Sequence, residues 1–119
     1  MSEGFLTTHV LDTARGVPAA GMVIVLFRRD GGTRTELARK TTNDDGRTDG
    51  PILPAADFAV GTYELEFHAG DYLDANGLTD ASPRFLDVIP IRFGISDPAS
   101  HYHVPLLVSP FSFSTYRGS

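Results

Sequence analysis

The chain has 119 residues, 41% of them hydrophobic and 21% charged, which is the composition of a globular protein and the usual size of one domain, residues 1–119. Its formal net charge is -5 and no run of Lys or Arg forms a basic stripe, so we expect neither a nucleic acid nor a membrane as a partner. Cysteine is absent, which excludes a disulfide framework, a thiolate zinc site and a cysteine nucleophile.

The start of the chain, Met1 to Phe5, lacks the basic and apolar segments of a secretory signal. No apolar run further along reaches the length of a membrane-spanning helix. The absence of cysteine leaves the redox compartment open. From the first two features we expect a cytoplasmic protein.

Short strand-like segments recur along the chain, and turn signals such as Asp30-Gly31-Gly32 and Ser109-Pro110 separate nearly all of them. Helical periodicity is scarce, and the sequence predicts one short helix from Asp71 to Asn76. This rhythm is typical of an all-β antiparallel sandwich and disfavours an α/β sheet. The predicted strands are Leu6 to Asp12, Met22 to Arg29, Thr35 to Thr41, Tyr63 to His68, Leu86 to Phe93, His101 to Val108 and Phe111 to Tyr116.

Proline interrupts one of these strands, in the stretch Val88-Ile89-Pro90-Ile91. Because proline cannot donate a ladder hydrogen bond, Leu86 to Phe93 should be an edge strand or carry a bulge. An exposed edge of this kind invites pairing with a second subunit.

Polar side chains gather on one face of several strands, because successive side chains of a strand point to opposite faces. His9 shares a face with Thr7 and Leu11, and His101 shares a face with His103, opposite a row of buried candidates that begins with Tyr102. In the last strand, the same alternation makes Phe111 and Phe113 core candidates and turns Ser112, Ser114 and Tyr116 outward.

The residues alone leave several interpretations open. His9 and His103 could be ordinary strand histidines satisfied by backbone carbonyls, and Arg47 could be a turn residue paired with a neighbouring aspartate. The spacing His101-x-His103 could also present two imidazoles to a metal ion, with His9 as a third ligand.

Four strings of the sequence resemble the transthyretin-related family. They are Thr7-Thr8-His9-Val10-Leu11-Asp12, Asn43-Asp44-Asp45-Gly46-Arg47, the stretch from His101 to Pro110, and Phe113 to Ser119, which ends in Tyr-Arg-Gly-Ser. The resemblance covers nearly the whole chain and is loose only from Leu86 to Ser100. It implies a transthyretin-like β-sandwich of about eight strands with one short helix.

The family has two branches, hormone carriers and hydrolases of 5-hydroxyisourate. The carriers have lysine where this chain has His9, glutamate at Arg47 and threonine at His103, and they continue beyond the terminal tetrapeptide. All of these positions are hydrolase-like here. The resemblance therefore implies hydrolysis of 5-hydroxyisourate to 5-hydroxy-2-oxo-4-ureido-2,5-dihydro-1H-imidazole-5-carboxylate in purine catabolism, with a non-enzymatic small-ligand carrier as the alternative.

The same resemblance implies a site and an assembly. It predicts a homotetramer with active sites at the dimer–dimer interface, and it implies neither an organic cofactor nor a native metal. The chemistry needs a base for water, a charge stabiliser and a proton donor. The expected catalytic residues are His9, Arg47 and His103, and the expected substrate-binding residues are Ser114, Tyr116, Arg117 and Ser119.

Overall fold

The computed structural model describes residues 3–118, which form two four-stranded sheets packed face to face. The first sheet has the order β2-β1-β7-β8 and the second the order β4-β3-β5-β6. One short helix, α1 (Ala69–Ala75), follows β5, so the predicted all-β sandwich with one short helix is confirmed. The strands are β1 (Phe5–Asp12), β2 (Val17–Pro18), β3 (Val23–Asp30), β4 (Thr33–Thr41), β5 (Gly61–His68), β6 (Val88–Ile95), β7 (His101–Val108) and β8 (Phe113–Thr115).

The core lies between the sheets and is built from alternate residues of each strand. In β1 every second side chain, beginning with Leu6, is buried, and the side chains between them are half-buried. In β7 the predicted core row from Tyr102 to Val108 is buried, which confirms the faces expected for both strands. Large side chains of β5, such as Leu65 and Phe67, close the core from the second sheet.

The pairing of β1 with β7 is parallel, whereas every other strand pair is antiparallel as expected. A parallel pair needs a long connection, and all four strands of the second sheet lie between these two strands in the sequence. The register places Phe5 beside His101 and Thr7 beside His103. Side chains that the sequence put on the outward faces of two strands are thereby brought side by side.

The last strand is shorter than predicted, and its expected core residues are not in the core. β8 covers only Phe113–Thr115, and the side chains of Phe111 and Phe113 are 73% and 44% exposed, so their assignment to the core was wrong. Phe111 lies in the turn before β8, where its ring lies 5.9 Å from that of Phe85, and Phe113 is at the edge of its sheet. The alternation of side chains predicted which residues share a face of the strand, but at the edge of the sheet no other part of the chain covers that face.

The helix differs slightly from its predicted bounds. It begins at Ala69, two residues before the predicted Asp71, and ends at Ala75. The strand that contains Pro90 lies at the edge of the second sheet, which confirms the expectation drawn from this proline. Within residues 3–118 no helix is long and apolar enough to span a membrane.

A buried carboxylate ties α1 to the end of β1. Asp12 accepts hydrogen bonds from the hydroxyl of Tyr72 at 2.7 Å and from Nε of Arg15 at 2.9 Å, and Nη2 of Arg15 donates to the same hydroxyl at 2.7 Å. Burial by itself raises the pKa of Asp12, but the bonds from Tyr72 and Arg15 outweigh it and hold this pKa below its ordinary value. The helix is therefore fixed by a closed polar triad as well as by apolar packing.

Substitution Tyr72→Phe should lower the free energy of unfolding by about 1–3 kcal/mol, because it leaves a buried carboxylate with one donor fewer. Urea denaturation followed by circular dichroism measures this loss. Thr35→Val, which removes an exposed hydroxyl on β4, serves as the control and should change stability by less than about 0.5 kcal/mol. Equal stability of the two variants would mean that the triad does not hold the helix.

Candidate active site

The outward face of the first sheet collects the polar residues in rows across neighbouring strands. Thr7 of β1 lies beside His103 of β7, and His103 in turn forms a backbone bridge with Gly118. His9 lies beside Pro105 on one side and forms a backbone bridge with Arg47 on the other. Because paired residues share a face, the sheet brings His9, Arg47 and His103 to one patch of surface.

A tight turn carries Arg47 to the edge of β1. The side-chain oxygen of Asn43 accepts hydrogen bonds from the backbone N–H of Asp45 at 2.9 Å and of Arg47 at 3.2 Å. Gly46 has φ +75, and its carbonyl accepts from the N–H of Val10 at 2.8 Å. A Cβ added to Gly46 would lie 2.4 Å from the carbonyl oxygen of Val10, so only glycine lets the turn approach the strand this closely.

Two histidines of β7 are linked through one hydroxyl. Oγ1 of Thr7 lies 2.7 Å from Nε2 of His101 and 2.7 Å from Nδ1 of His103. The ring of His101 stacks on Phe5 with centroids 4.2 Å apart and an angle of 12° between the planes. The spacing that suggested a metal pair therefore holds a hydrogen-bonded chain, in which both ring nitrogens point at Thr7.

The C-terminal segment packs against His103. The N–H of Gly118 donates to the carbonyl of His103 at 2.7 Å. A Cβ on Gly118 would lie 2.6 Å from Cδ2 of the His103 ring, so the absence of a side chain permits this contact. The imidazole of His103 is thus held between Thr7 on one side and the backbone of Gly118 on the other.

Both candidate catalytic histidines favour the neutral form. Burial lowers the pKa of His9, the charge of Arg47 lowers it further, and a hydrogen bond to the backbone of Asp45 only partly opposes them. Burial likewise lowers the pKa of His103, with further contributions from Arg47 and the two other histidines. Near neutral pH the patch therefore combines a permanent guanidinium charge with two imidazoles that can accept a proton.

The patch opens into a cleft of about 430 Å³. Its walls come from β1 and β7 on one side and from the turn and the loop after it on the other. The cleft is large enough for a small heterocycle, and it offers charged, hydroxyl and imidazole groups. The lining includes Phe5, Thr7, Arg47, Pro51, His101 and His103.

None of the three described residues that were predicted to bind substrate, Ser114, Tyr116 and Arg117, lines this cleft. Ser114 is exposed on β8 and pairs with Leu107, at the other end of the outward face from His101. Tyr116 and Arg117 line a separate cleft of about 270 Å³ at the open side of the sandwich, where the guanidinium of Arg117 lies 4.0 Å from the ring centre of Tyr102. Ser119 lies outside the described residues.

Sequence reasoning did not assign roles to Thr7, His101 and Phe5, although all three line the cleft. Thr7 had been placed on the face of His9, so alternation gave the signal, but only the parallel register shows that Thr7 reaches both histidines of β7. Among residues 3–118, no group of three His, Asp or Glu side chains is arranged to hold a metal ion. Arg47 and His103 both line this cleft.

The HIUase/Transthyretin family model matches residues 6–118. The chain is 58% identical over 117 residues to 5-hydroxyisourate hydrolase 2 of Rhizobium meliloti (strain 1021), covering 98% of each chain. A crystal structure of (S)-allantoin synthase matches with TM-score 0.93 and 51% identity. The match covers 99% of this chain and 44% of that longer protein. Sea bream transthyretin in complex with thyroxine matches with TM-score 0.84 and 28% identity over 95% of this chain and 93% of that one.

Removal of the guanidinium should raise the pKa of both candidate bases. In Arg47→Gln we expect the pKa values of His9 and His103 to move up toward the ordinary value of 6.5, while burial still holds them below it. Titration of the ring resonances by NMR measures the shift. Arg39→Gln, an exposed charge on β4, is the matched control. If the pKa values of His9 and His103 were unchanged in Arg47→Gln, the charge of Arg47 would not be what lowers them.

Proposed function

The chain belongs to the HIUase/Transthyretin family, and from this we propose that it is an enzyme of purine catabolism that hydrolyses 5-hydroxyisourate. The product is 5-hydroxy-2-oxo-4-ureido-2,5-dihydro-1H-imidazole-5-carboxylate. The observation that carries the proposal is a cleft lined by Arg47 and His103, with His9 in the adjoining row of the sheet and bridged to Arg47 through the backbone. A carrier site that binds an apolar hormone needs an apolar lining, and two neutral imidazoles beside a guanidinium do not provide one.

The reaction adds water to a ring carbonyl and breaks the bond between that carbon and the ring nitrogen. A base removes a proton from the attacking water, and negative charge develops on the carbonyl oxygen. As the ring opens, the electron pair of the broken bond stays on nitrogen, which takes up a proton. The single ring-opened product carries both a carboxylate and a ureido group, and no oxidant or reductant is consumed.

The cleft and the adjoining His9 offer one group for each of these needs. A neutral imidazole of His9 or His103 accepts the proton of water, and the lowered pKa of both rings favours this neutral form. The other imidazole orients the substrate or returns the proton to nitrogen. Arg47 is charged at every relevant pH, so its forked donors can hold carbonyl oxygens and stabilise the developing charge.

Direct attack by water is proposed rather than a covalent intermediate. The hydroxyl closest to the imidazoles, that of Thr7, is hydrogen-bonded to two rings and belongs to a half-buried strand position. No organic cofactor or metal takes part in the proposed steps, since the protein groups and water supply every proton and electron pair that the ring opening needs.

Assembly into a homotetramer, with sites at the dimer–dimer interface, is part of the proposal. The catalytic cleft lies on an open sheet face, and hydrolysis of a small ring gains from a second wall that excludes bulk water. Aromatic side chains near the edge of the same sheet are also unusually exposed, namely Phe85 at 71%, Phe111 at 73% and Tyr116 at 61%. A docked copy would cover these groups.

The proposed tetramer gives a place to the expected substrate-binding residues. Ser114 and Tyr116 are exposed and do not line the cleft of their own chain. Across an interface formed by this face, they could reach the cleft of a neighbouring copy, together with Arg117. The predicted role of Ser119 in binding substrate is kept as part of the proposal. One core shared by both sheets supports the proposal of a single domain over residues 1–119. A cytoplasmic location stays a prediction from the sequence.

The activity is tested by the ultraviolet decay of freshly generated 5-hydroxyisourate at neutral pH, with and without the protein and with a chelator present. We expect acceleration that the chelator does not change. His103→Ala and Arg47→Ala should each lose about 100-fold or more in rate, because each removes proton transfer or charge stabilisation. His68→Gln, outside the cleft, should keep the rate. A folded protein without acceleration would favour the carrier alternative.

The assembly is tested by sedimentation velocity. We expect the protein to sediment with four times the mass of one chain, and Leu107→Glu to sediment as smaller species with lower activity, since Leu107 lies half-buried on the outward face beside Leu11. Leu37→Glu, at an exposed position on β4, is the control and should leave the tetramer intact. An intact tetramer in Leu107→Glu would place the interface elsewhere.

A further inference from the structure

A hydrogen-bonded and stacked row of side chains, Phe5, His101 and Thr7, leads to the proposed catalytic residue His103, and these three residues have no part in the chemistry described so far. The two hydrogen bonds of the Thr7 hydroxyl limit where the protons of the two histidine rings can lie. Oγ1 of Thr7 carries one hydrogen but contacts a ring nitrogen on each side, both at 2.7 Å. One hydrogen cannot serve two acceptors, so at least one ring nitrogen is an N–H that donates to Oγ1.

We propose that Thr7 and His101 form a proton relay behind His103, in which Thr7 positions His103 as the base and His101 takes over its charge. In the resting state, Nδ1–H of His103 donates to Oγ1 of Thr7, and the Thr7 hydroxyl donates to Nε2 of His101. Nε2 of His103 is then the unprotonated nitrogen left for water. The inference rests on the proposed hydrolase function for its catalytic part.

The relay moves one proton at each contact, so the positive charge gained from the attacking water ends on His101 and His103 stays neutral. When Nε2 of His103 takes a proton from water, Nδ1 of His103 passes its proton to Oγ1 of Thr7, and the Thr7 hydroxyl passes its own to Nε2 of His101. His103 stays neutral with its hydrogen on Nε2, and His101 becomes the imidazolium. The return of these protons accompanies delivery of the Nε2 hydrogen to the leaving nitrogen.

The surroundings favour charge on His101 over charge on His103. Burial and the Arg47 guanidinium both oppose an imidazolium at His103, as its lowered pKa reflects. His101 lies one row further from the His9–Arg47 bridge along the strand. Its ring also stacks on the face of Phe5 at 4.2 Å, and an aromatic face stabilises a cation placed over it.

The relay is tested with a pair of substitutions at Thr7. Thr7→Val keeps the shape of the side chain but removes the hydroxyl, whereas Thr7→Ser keeps the hydroxyl. We expect kcat of Thr7→Val to fall about 10- to 100-fold with KM changed less than about 3-fold, and Thr7→Ser to stay within about 3-fold of the parent. His101→Phe, which preserves the stacking, should reproduce the Thr7→Val loss. Thr13→Val removes a hydroxyl outside the cleft and should change neither parameter.

A second readout needs no substrate. Nitrogen-15 NMR of the histidine rings should place the neutral proton of His103 on Nδ1 in the parent and in Thr7→Ser, and shift it toward Nε2 in Thr7→Val. An unchanged tautomer and rate in Thr7→Val, or an equal loss in Thr7→Ser, would overturn the relay. Because the tautomer is measured in the free protein, an inactive parent with the expected tautomer would refute the proposed function and leave the hydrogen-bonded chain standing.

Discussion

The parallel, in-register pairing of β1 with β7 is the constraint on which the site depends. It brings Thr7 beside His103 and Phe5 beside His101, and it leaves all of these side chains on the outward face. A slip of one residue would turn the histidines into the core and expose the buried row that begins at Leu6. The hydrophobic core therefore fixes the register, and the register in turn fixes the chemistry on the other side of the same strands.

Two glycines allow backbone segments to approach this sheet where no side chain would fit. Gly46 brings the turn onto β1 and carries Arg47 beside His9, and Gly118 brings the C-terminal segment onto the ring of His103. The positive charge of Arg47 then lowers the pKa of both His9 and His103. Its positive charge and the burial of the rings act in the same direction, and both keep the imidazoles neutral.

A single chain buries its own apolar core but leaves the outward face of the first sheet uncovered. The second sheet contributes its inner side chains to the apolar cluster, and α1 is held by that cluster and by the triad of Asp12, Arg15 and Tyr72. The outward face of the first sheet instead presents a polar cleft, and exposed aromatic rings such as Phe111 lie near its edge. In the proposed tetramer the same surface serves both the assembly and the active site, so contacts between copies would also complete the walls of the cleft.

The sequence by itself determined the sandwich, the buried rows of β1 and β7, the edge position of the Pro90 strand and the outward faces of the histidines, because alternation and proline chemistry are local. Its motifs also identified the family, and the resemblance to that family predicted His9, Arg47 and His103 as catalytic residues. Only the tertiary structure decided that β1 and β7 run parallel, that Thr7 joins two histidines, and that Phe111 and Phe113 lie outside the core. Strand direction, register and the covering of an edge depend on residues far apart in the chain, and local patterns do not carry that information.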